Sequence, residues 1–312
     1  MPPFSISISD PSFAADITRA ASTQTYYTIR FLADNNLVDD AYRAYAYFRW
    51  VDDWIDGDAR PRATRLAFIH RQQALIGWRS GDAGEAETPI DLAPEERLVV
   101  DLLQREPDRP SGLQAYIQNM MSVMAFDAER RGRLITQNEL DDYTRWLAVA
   151  IAEAMHYFIG HDCQAPQGEK RYLAVRGAHI AHMLRDTLAD VAAGYYNIPR
   201  EVLDAGGIAE SDVESRAYRG WVEERVNVAR ACFRAGRDQM AEVESLRCRI
   251  AAYAYIHRFE NLLDAIERDD YLLRAGYTER KGQGIERITW ALWMALRNHR
   301  TYSSHNHQVN ND

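Results

Sequence analysis

The chain has 312 residues, 46% of them hydrophobic, which is enough for one large domain with an extensive core. Its formal net charge of -9 makes nucleic acid an unfavourable partner, because phosphate binding needs clustered lysine and arginine. No stretch approaches the roughly 18 apolar residues that span a bilayer. Three cysteines without metal-ligand spacing indicate a reduced, cytoplasmic protein, with peripheral contact with a membrane as a remaining alternative.

Helical periodicity dominates the chain, and strand patterns are scarce. The compositions of 80–93 and 161–168 predict loops, and 301–312 is predicted to be a polar, disordered tail after one domain over 1–300. The sequence therefore predicts an all-α, single-domain helical bundle, large enough to surround a deep cavity. Predicted helices cover 12–33, 38–57, 62–79, 94–105, 110–130, 136–160, 170–194, 211–237, 240–268 and 284–299.

An acidic face lies in the stretch "YFRWVDDWIDG", residues 47–57, which places aspartates among large apolar groups. Tyr45, Arg49, Asp52 and Asp56 lie at i, i+4, i+7 and i+11 and so share one face of a helix. Two carboxylates one turn apart do not suit simple packing. This face must therefore meet water, a salt-bridge partner or a metal.

A second acidic face lies in "RGAHIAHMLRDTLADVAAGYYNIP", residues 176–199. His182, Asp186 and Asp190 lie at i, i+4 and i+8, with Arg185 adjacent to Asp186. One DxxxD pair is usually a solvated face or a salt bridge, but two pairs in apolar helices favour a shared counter-charge. Facing carboxylates can hold Mg2+ that takes further ligands from substrate phosphates, and metal ions with arginines neutralise a departing diphosphate.

These motifs resemble those of the squalene/phytoene synthase family. "YAYFRWVDDWIDG" is similar to the family's first acidic motif, and "MLRDTLADVAAGYYNIP" to its second, where Gly194 and Pro199 also match. "ELDDYTRWLAVAIAEAM", with Glu153, lies where the family has its kinked helix, and "YIHRFENLLDAIERDDYLL" resembles its C-terminal helix. Four motifs in the right order, over roughly 12–285, identify the chain as a divergent member.

The resemblance implies the isoprenoid synthase fold, a helical bundle around a central apolar cavity, and condensation of two prenyl diphosphates head to head. Mg2+ and two donors, farnesyl or geranylgeranyl diphosphate, would bind to aspartates that face each other across this cavity. One donor would ionise, and the other's double bond would attack, giving a C30 or C40 hydrocarbon of squalene, dehydrosqualene or phytoene type. A glycine-rich dinucleotide fingerprint is absent, which disfavours NADPH only weakly, because the family's NADPH-using members lack it too.

The same resemblance implies roles for individual residues. Arg49 and Arg185 would clamp the diphosphates, and Tyr45 would orient or shield the first site. The metal ligands would be Asp52, Asp56, Asp186 and Asp190.

The chain departs from the family's phosphate-binding box, a Ser-Lys/Arg-Ser-Phe/Tyr sequence. The corresponding stretch is "TQTYY", in which Thr23 and Thr25 keep the hydroxyls and Gln24 replaces the cation. Loss of a cation beside a diphosphate would weaken binding by about 1–3 kcal/mol. Arg30, one turn further along, is predicted to compensate.

Histidines replace the family's usual amides in the second motif, at His179 and His182. Imidazole is a poor Mg2+ ligand but a good ligand for softer ions such as Mn2+. We therefore expect His182, one turn before Asp186, to be either a metal ligand or a core residue, and His179 to be a core residue.

Substitutions also occur on the kinked helix and after the second motif. Val149 and Ala152 replace glycines that let a prenyl chain pass close to the backbone, which predicts a narrower passage. Tyr195 stands where an arginine is usual, and Asn197 where a tyrosine is usual. Because the key aspartates survive, we expect diphosphate binding to be kept and the reaction outcome to be altered.

Three alternatives follow from these departures. The first is ionisation of one prenyl diphosphate, followed by cyclisation or hydrolysis. The second is a non-catalytic assembly or binding protein, which retention of like charges in apolar helices disfavours. The third is a di-iron site, suggested by Glu153-x-x-His156, but such sites need a second ExxH pair, and His156 is better interpreted as a core or loop-facing residue.

Overall fold

A computed structural model describes residues 12–57, 60–77, 91–105, 111–160, 168–277 and 289–297. Across these ranges the regular structure is helical, and no strand occurs. The all-α prediction is confirmed. The helices are α1 (Ser12–Ala21), α2 (Thr23–Leu32), α3 (Val38–Asp56), α4 (Arg62–Gly77), α5 (Pro94–Gln104), α6 (Gly112–Arg130), α7 (Gln137–Gly160), a 3-10 helix (Glu169–Tyr172), α8 (Leu173–Ala193), α9 (Arg200–Gly206), α10 (Arg216–Ala241), α11 (Leu246–Arg268) and α12 (289–297).

The chain forms two compact units. The first comprises residues 1–129 with 157–161, and the second comprises 130–156 with 162–312. The first acidic face therefore belongs to the first unit, and the second acidic face belongs to the second.

The first unit is organised around α3, which packs against α1 and α5. Tyr47, Val51 and Ile55 recur every four residues along α3 and are completely or almost completely buried. The Tyr47 hydroxyl donates to Gln72 Oε1 (3.1 Å), and Gln72 Nε2 donates to Glu96 Oε1 (2.8 Å). This buried chain of hydrogen bonds links α3, α4 and α5, and so fixes α3 in the first unit.

The second unit is organised around α8, which packs against α10 and α11. The α8–α10 crossing depends on Gly236, where a Cβ atom would lie 2.9 Å from the Cα of Ala174. α8 ends at Gly194, whose φ of 86° is in the left-handed region that favours glycine. Both helix packing and helix termination therefore set the position of the second acidic face.

Several boundaries differ from the predicted ones because of local capping. The predicted helix 12–33 is divided at Ser22, whose hydroxyl accepts from Thr25 N (3.2 Å) and begins α2. α10 runs to Ala241 instead of 237, and α11 begins at Leu246 instead of 240, after Ser245 caps it. The short helix α9 was not predicted, and 170–194 opens with a 3-10 turn.

Other predictions of the sequence are not tested by these residues. Most of the predicted loops 80–93 and 161–168, and the whole tail 301–312, lie outside the described residues. The single domain over 1–300 and the central cavity stay predictions. Within the described ranges, no helix is long and apolar enough to cross a membrane.

Candidate active site

The first acidic face lies beside the buried stripe of α3. Arg49 Nη1 donates to Asp52 Oδ2 (3.2 Å), and the guanidinium also forms a two-point ion pair with Asp53. The Asp52 side chain is 37% exposed, and Asp56 is exposed at the end of the helix. The Arg49 guanidinium is therefore shared between the carboxylates of Asp52 and Asp53. Interactions that stabilise the charge of Asp56 must come from other residues.

The electrostatics of this face are unfavourable for a second ionised carboxyl. Partial burial and the charge of Asp56 raise the pKa of Asp52 to about 7, against the opposing effect of Arg49. Asp127 of α6 contributes further negative charge. The face thus carries more negative charge than its own arginine balances, which is the condition that a bound cation would relieve.

Asp127 is a site residue that the sequence reasoning missed. It follows Val123 and Met124, both buried, by four and three residues, so it lies on the inward side of α6. An acidic residue at helical spacing among core positions was the signal that could have identified it.

The predicted phosphate-binding residues lie at the beginning of α2. Thr23 is exposed at the first helical position, and the Thr25 hydroxyl donates to the Ser22 hydroxyl (2.9 Å). Arg30 is exposed two turns further along, and Tyr45 is half-buried on α3. The amino end of a helix favours anions, so this position suits the predicted role.

On the second acidic face, each aspartate has its own partner. Arg185 Nε and Nη2 donate to the two Asp186 oxygens (2.7 and 2.6 Å). Asn197 Nδ2 donates to Asp190 Oδ2 (2.8 Å). The sequence marked Asn197 only as a departure from the family pattern, and the structure places it in contact with a predicted metal ligand.

The two histidines of α8 lie in apolar surroundings. The His182 ring meets the Phe259 ring edge-on (4.9 Å between centroids), and burial together with the Arg185 charge lowers its pKa to about 4. His179 is buried against Tyr143, and among the described residues its Nε2 has no hydrogen-bond partner. Burial lowers the pKa of His179 to about 3. The interpretation of His179 as a core residue is confirmed, and the role of His182 as a ligand stays a prediction.

The predicted substrate residues of α7 are closely packed. Glu153 accepts from Arg171 Nη2 (3.0 Å) and from the Tyr172 hydroxyl (3.0 Å). Ala152 is buried and packs against Ala148 and Val175, whereas Val149 is half-buried. Glu153 is therefore held by an ion pair within the second unit.

A small cavity beside Ala152 has a volume of about 20 Å3, enough for one water molecule. His156 also lines it and is buried, with Nδ1 3.7 Å from Cys248 Sγ. The interpretation of His156 as a core residue is confirmed. The narrower substrate passage remains a prediction.

The structure brings each aspartate pair together on one helix but describes the two pairs in separate units. The prediction that they face each other therefore stays a prediction. Among the described residues, no group of three or more histidine, cysteine, aspartate or glutamate side chains is arranged to hold a metal ion.

The helices and their order define an all-α protein of the isoprenoid synthase fold. The squalene/phytoene synthase family model matches residues 18–293. The chain belongs to this family, as the two acidic motifs predicted.

Solved structures share the fold at low sequence identity. Squalene synthase HpnC from Alicyclobacillus acidocaldarius is 21% identical, with a TM-score of 0.64, over 85% of this chain and 95% of that one. A dehydrosqualene synthase solved with a ligand is 15% identical, with a TM-score of 0.67, over 94% and 97%. TcSQS in complex with the ligand BPH1237 is 14% identical, with a TM-score of 0.67, over 94% and 89%. No curated protein matches the chain significantly.

Proposed function

We propose that the protein condenses two allylic prenyl diphosphates, C15 or C20, head to head into a C30 or C40 hydrocarbon. The observation that carries this proposal is the pair of DxxxD faces, on α3 and α8, each with an arginine bonded to one aspartate. Family membership supports the reaction class. The solved relatives named as squalene and dehydrosqualene synthases support the same fold.

The aspartates of both faces fit a hard divalent cation. Carboxylate oxygens are the ligands that Mg2+ prefers. Burial and the neighbouring charge of Asp56 raise the pKa of Asp52 to about 7, so a nearby cation would favour the ionised form of Asp52. We propose that they, with Asp186 and Asp190, bind Mg2+ or Mn2+. The bound cation would supply neutralising charge to the departing diphosphates.

The arginines of the two faces are proposed to hold the diphosphates. Arg49 and Arg185 present planar donor pairs, which match phosphate oxygens in geometry. Both are partly exposed, 40% and 29% in their side chains, so each guanidinium is accessible to a substrate phosphate. Thr23 and Thr25 would contribute donors from the beginning of α2, and Arg30 from its last turn.

The carbon chemistry needs little from charged side chains. When one donor loses diphosphate, its allylic cation is attacked by the double bond of the other donor, and a proton is lost as a cyclopropane closes. Loss of the second diphosphate leaves a cation that rearranges; loss of a proton then gives dehydrosqualene or phytoene without a reductant, and uptake of a hydride gives squalene. We propose that Tyr45 shields the first diphosphate from water, and that Val149 and Ala152 restrict how the prenyl chain lies.

Product analysis tests this function. The purified protein is incubated with farnesyl or geranylgeranyl diphosphate and Mg2+ or Mn2+, with and without NADPH, and products are identified by mass. A C30 or C40 hydrocarbon is expected. A C15 alcohol or a cyclic terpene would instead establish the one-substrate reaction. Absence of turnover, with no metal-dependent diphosphate binding by a folded protein, would establish a non-catalytic relative.

An apolar product also suggests contact with a lipid surface. On α12, the side chains of Leu292, Trp293 and Leu296 are exposed, Trp293 by 53%, and Arg297 lies over the Trp293 ring (5.1 Å). Tryptophan beside arginine suits a membrane–water interface. We propose that α12 contacts this surface, which is tested by co-sedimentation with anionic phospholipid vesicles: Trp293→Ser is expected to reduce binding several-fold, and equal binding would contradict it.

A further inference from the structure

The amide of Asn197 lies between a buried arginine and a predicted metal ligand. Arg130 Nη1 donates to Asn197 Oδ1 (2.8 Å), and Asn197 Nδ2 donates to Asp190 Oδ2 (2.8 Å). Asn197 is 4% exposed and Arg130 is 5% exposed. Because arginine has only donors and an ionised carboxylate only acceptors, the amide can satisfy both neighbours in one orientation alone.

Arg130 is itself held rigidly. Its guanidinium lies over the Tyr143 ring (4.8 Å) and the Tyr195 ring (5.0 Å). The segment after α6 is joined to the end of α8 by a hydrogen bond from Gly132 N to Gly194 O (2.7 Å). The guanidinium therefore cannot move away from Asn197 without losing its contacts with two aromatic rings.

We propose that Asn197 is a positioning residue for Asp190, and that Arg130 is the residue that holds Asn197 in the required orientation. The hydrogen bond to Oδ2 limits the rotation of the Asp190 carboxylate and so sets the orientation in which it would meet a cation. Hydrogen bonds of this kind orient the carboxylates that ligate metals. Arg130 also lies over the ring of Tyr195, the residue at the sequence position where the family usually has an arginine.

This inference rests on the proposed function, in which Asp190 is a metal ligand. Its test uses Mn2+ binding to the full-length protein without substrate, measured by electron paramagnetic resonance, beside thermal melting. Asn197→Ala is expected to weaken Mn2+ binding about tenfold. Arg130→Met should weaken it to a similar extent, whereas Arg130→Lys, which keeps a charged donor, should largely restore it.

Arg131→Met is the matched control. Arg131 lies over the same Tyr195 ring (5.8 Å) but donates to Ala193 O (3.1 Å), and no hydrogen bond joins it to Asn197. Loss of its charge should leave Mn2+ affinity within about twofold of the wild type, since orientation and not net charge carries the effect. Equal weakening by Arg131→Met and Asn197→Ala would overturn the proposal in favour of a general charge effect.

Asp190→Asn separates failure of this inference from failure of the proposed function. If Asp190→Asn weakens Mn2+ binding and Asn197→Ala lowers only the melting temperature, Asn197 is merely structural. If neither variant changes Mn2+ binding, the metal-ligand assignment fails, and the positioning role fails with it. Asn197→Ser, which leaves a smaller cavity, serves where Asn197→Ala does not fold.

Discussion

The two acidic faces share a sequence pattern but differ in how their charges are satisfied. On α3, Arg49 pairs with both Asp52 and Asp53, and burial together with nearby carboxylates raises the pKa of Asp52 to about 7. On α8, Asp186 has Arg185 and Asp190 has Asn197. The carboxylates of the first face thus repel one another, whereas each aspartate of the second face is held by a hydrogen-bonding partner.

The difference indicates that the same DxxxD spacing can have two physical roles. A face whose carboxylates repel one another attracts a cation strongly but does not fix the orientation of those carboxylates. A hydrogen-bonded face fixes the geometry of its carboxylates and attracts a cation less strongly. We infer that the first face contributes mainly charge and the second mainly orientation, and the following predictions test that division.

The largest expected effect is on turnover. Asp186→Asn should lower turnover about a thousandfold, because loss of one metal ligand removes several kcal/mol of transition-state stabilisation. Its melting temperature should change by no more than about 4 °C, because the Arg185–Asp186 pair is partly exposed and such pairs contribute about 0–1 kcal/mol. Steady-state kinetics and thermal melting measure both quantities.

Asp142→Asn is the control for Asp186→Asn, since Asp142 forms a similar exposed ion pair with Arg145 (3.0 Å) and is outside the site. Its turnover should equal that of the wild type. An Asp186→Asn protein that melts much earlier yet keeps its activity would identify Asp186 as a structural salt-bridge partner.

Acid should destabilise the second unit through its buried histidines. Burial lowers the pKa of His156 to about 4, so its neutral form is favoured in the folded state. As pH falls below about 6.5, the unfolded chain takes up a proton that the folded one does not, and stability is lost until pH 4 is reached. Between pH 7 and pH 5, the lowered pKa of His156 should decrease the free energy of unfolding by about 2 kcal/mol.

Urea unfolding of His156→Gln at the two pH values measures that cost, with exposed His70→Gln as the control. The His156→Gln protein should lose less stability between pH 7 and pH 5 than the wild type. An identical loss in both proteins would show that His156 does not contribute.

The metal preference of the second face should depend on His182. Burial and Arg185 keep this imidazole neutral, which is the form that binds metals. If it is a ligand, the ratio of Mn2+-supported to Mg2+-supported activity should fall about threefold in His182→Asn. An unchanged ratio would mean that His182 only packs against Phe259.

The smallest expected effect is on the melting temperature, through the ionisation of Asp52 as the pH rises. The pKa of Asp52 is raised, so the contribution of this group to folded-state stability is undiminished below about pH 4, falls as pH rises to about 7, and is constant above that. Asp52→Asn should therefore raise the melting temperature by about 2 °C at pH 8, and by less at pH 5, because partial exposure screens the charge. Asp53→Asn should show no such rise. Equal melting temperatures of the two variants would contradict the conclusion that ionisation of Asp52 is unfavourable in the folded protein.

The sequence predicted the helices and both acidic faces because these depend on local spacing. Asp52 and Asp56, like Asp186 and Asp190, share a helix face whatever the tertiary packing. The boundary at Ser22 depended on a hydroxyl that could equally have faced solvent. The hydrogen-bond partners of the aspartates could not be predicted from local spacing. Arg130 and Asn197, for example, are 67 residues apart and meet only when the chain folds.

The most direct measurement of the central claim is the amount of inorganic diphosphate released per hydrocarbon formed, in the wild type, Asp52→Asn and Asp186→Asn. If both faces serve the departing diphosphates, the wild type should release two diphosphates for each C30 or C40 molecule. Each variant should lose about a thousandfold in rate. Full diphosphate release by either variant, or one diphosphate released per C15 or C20 product, would contradict the account.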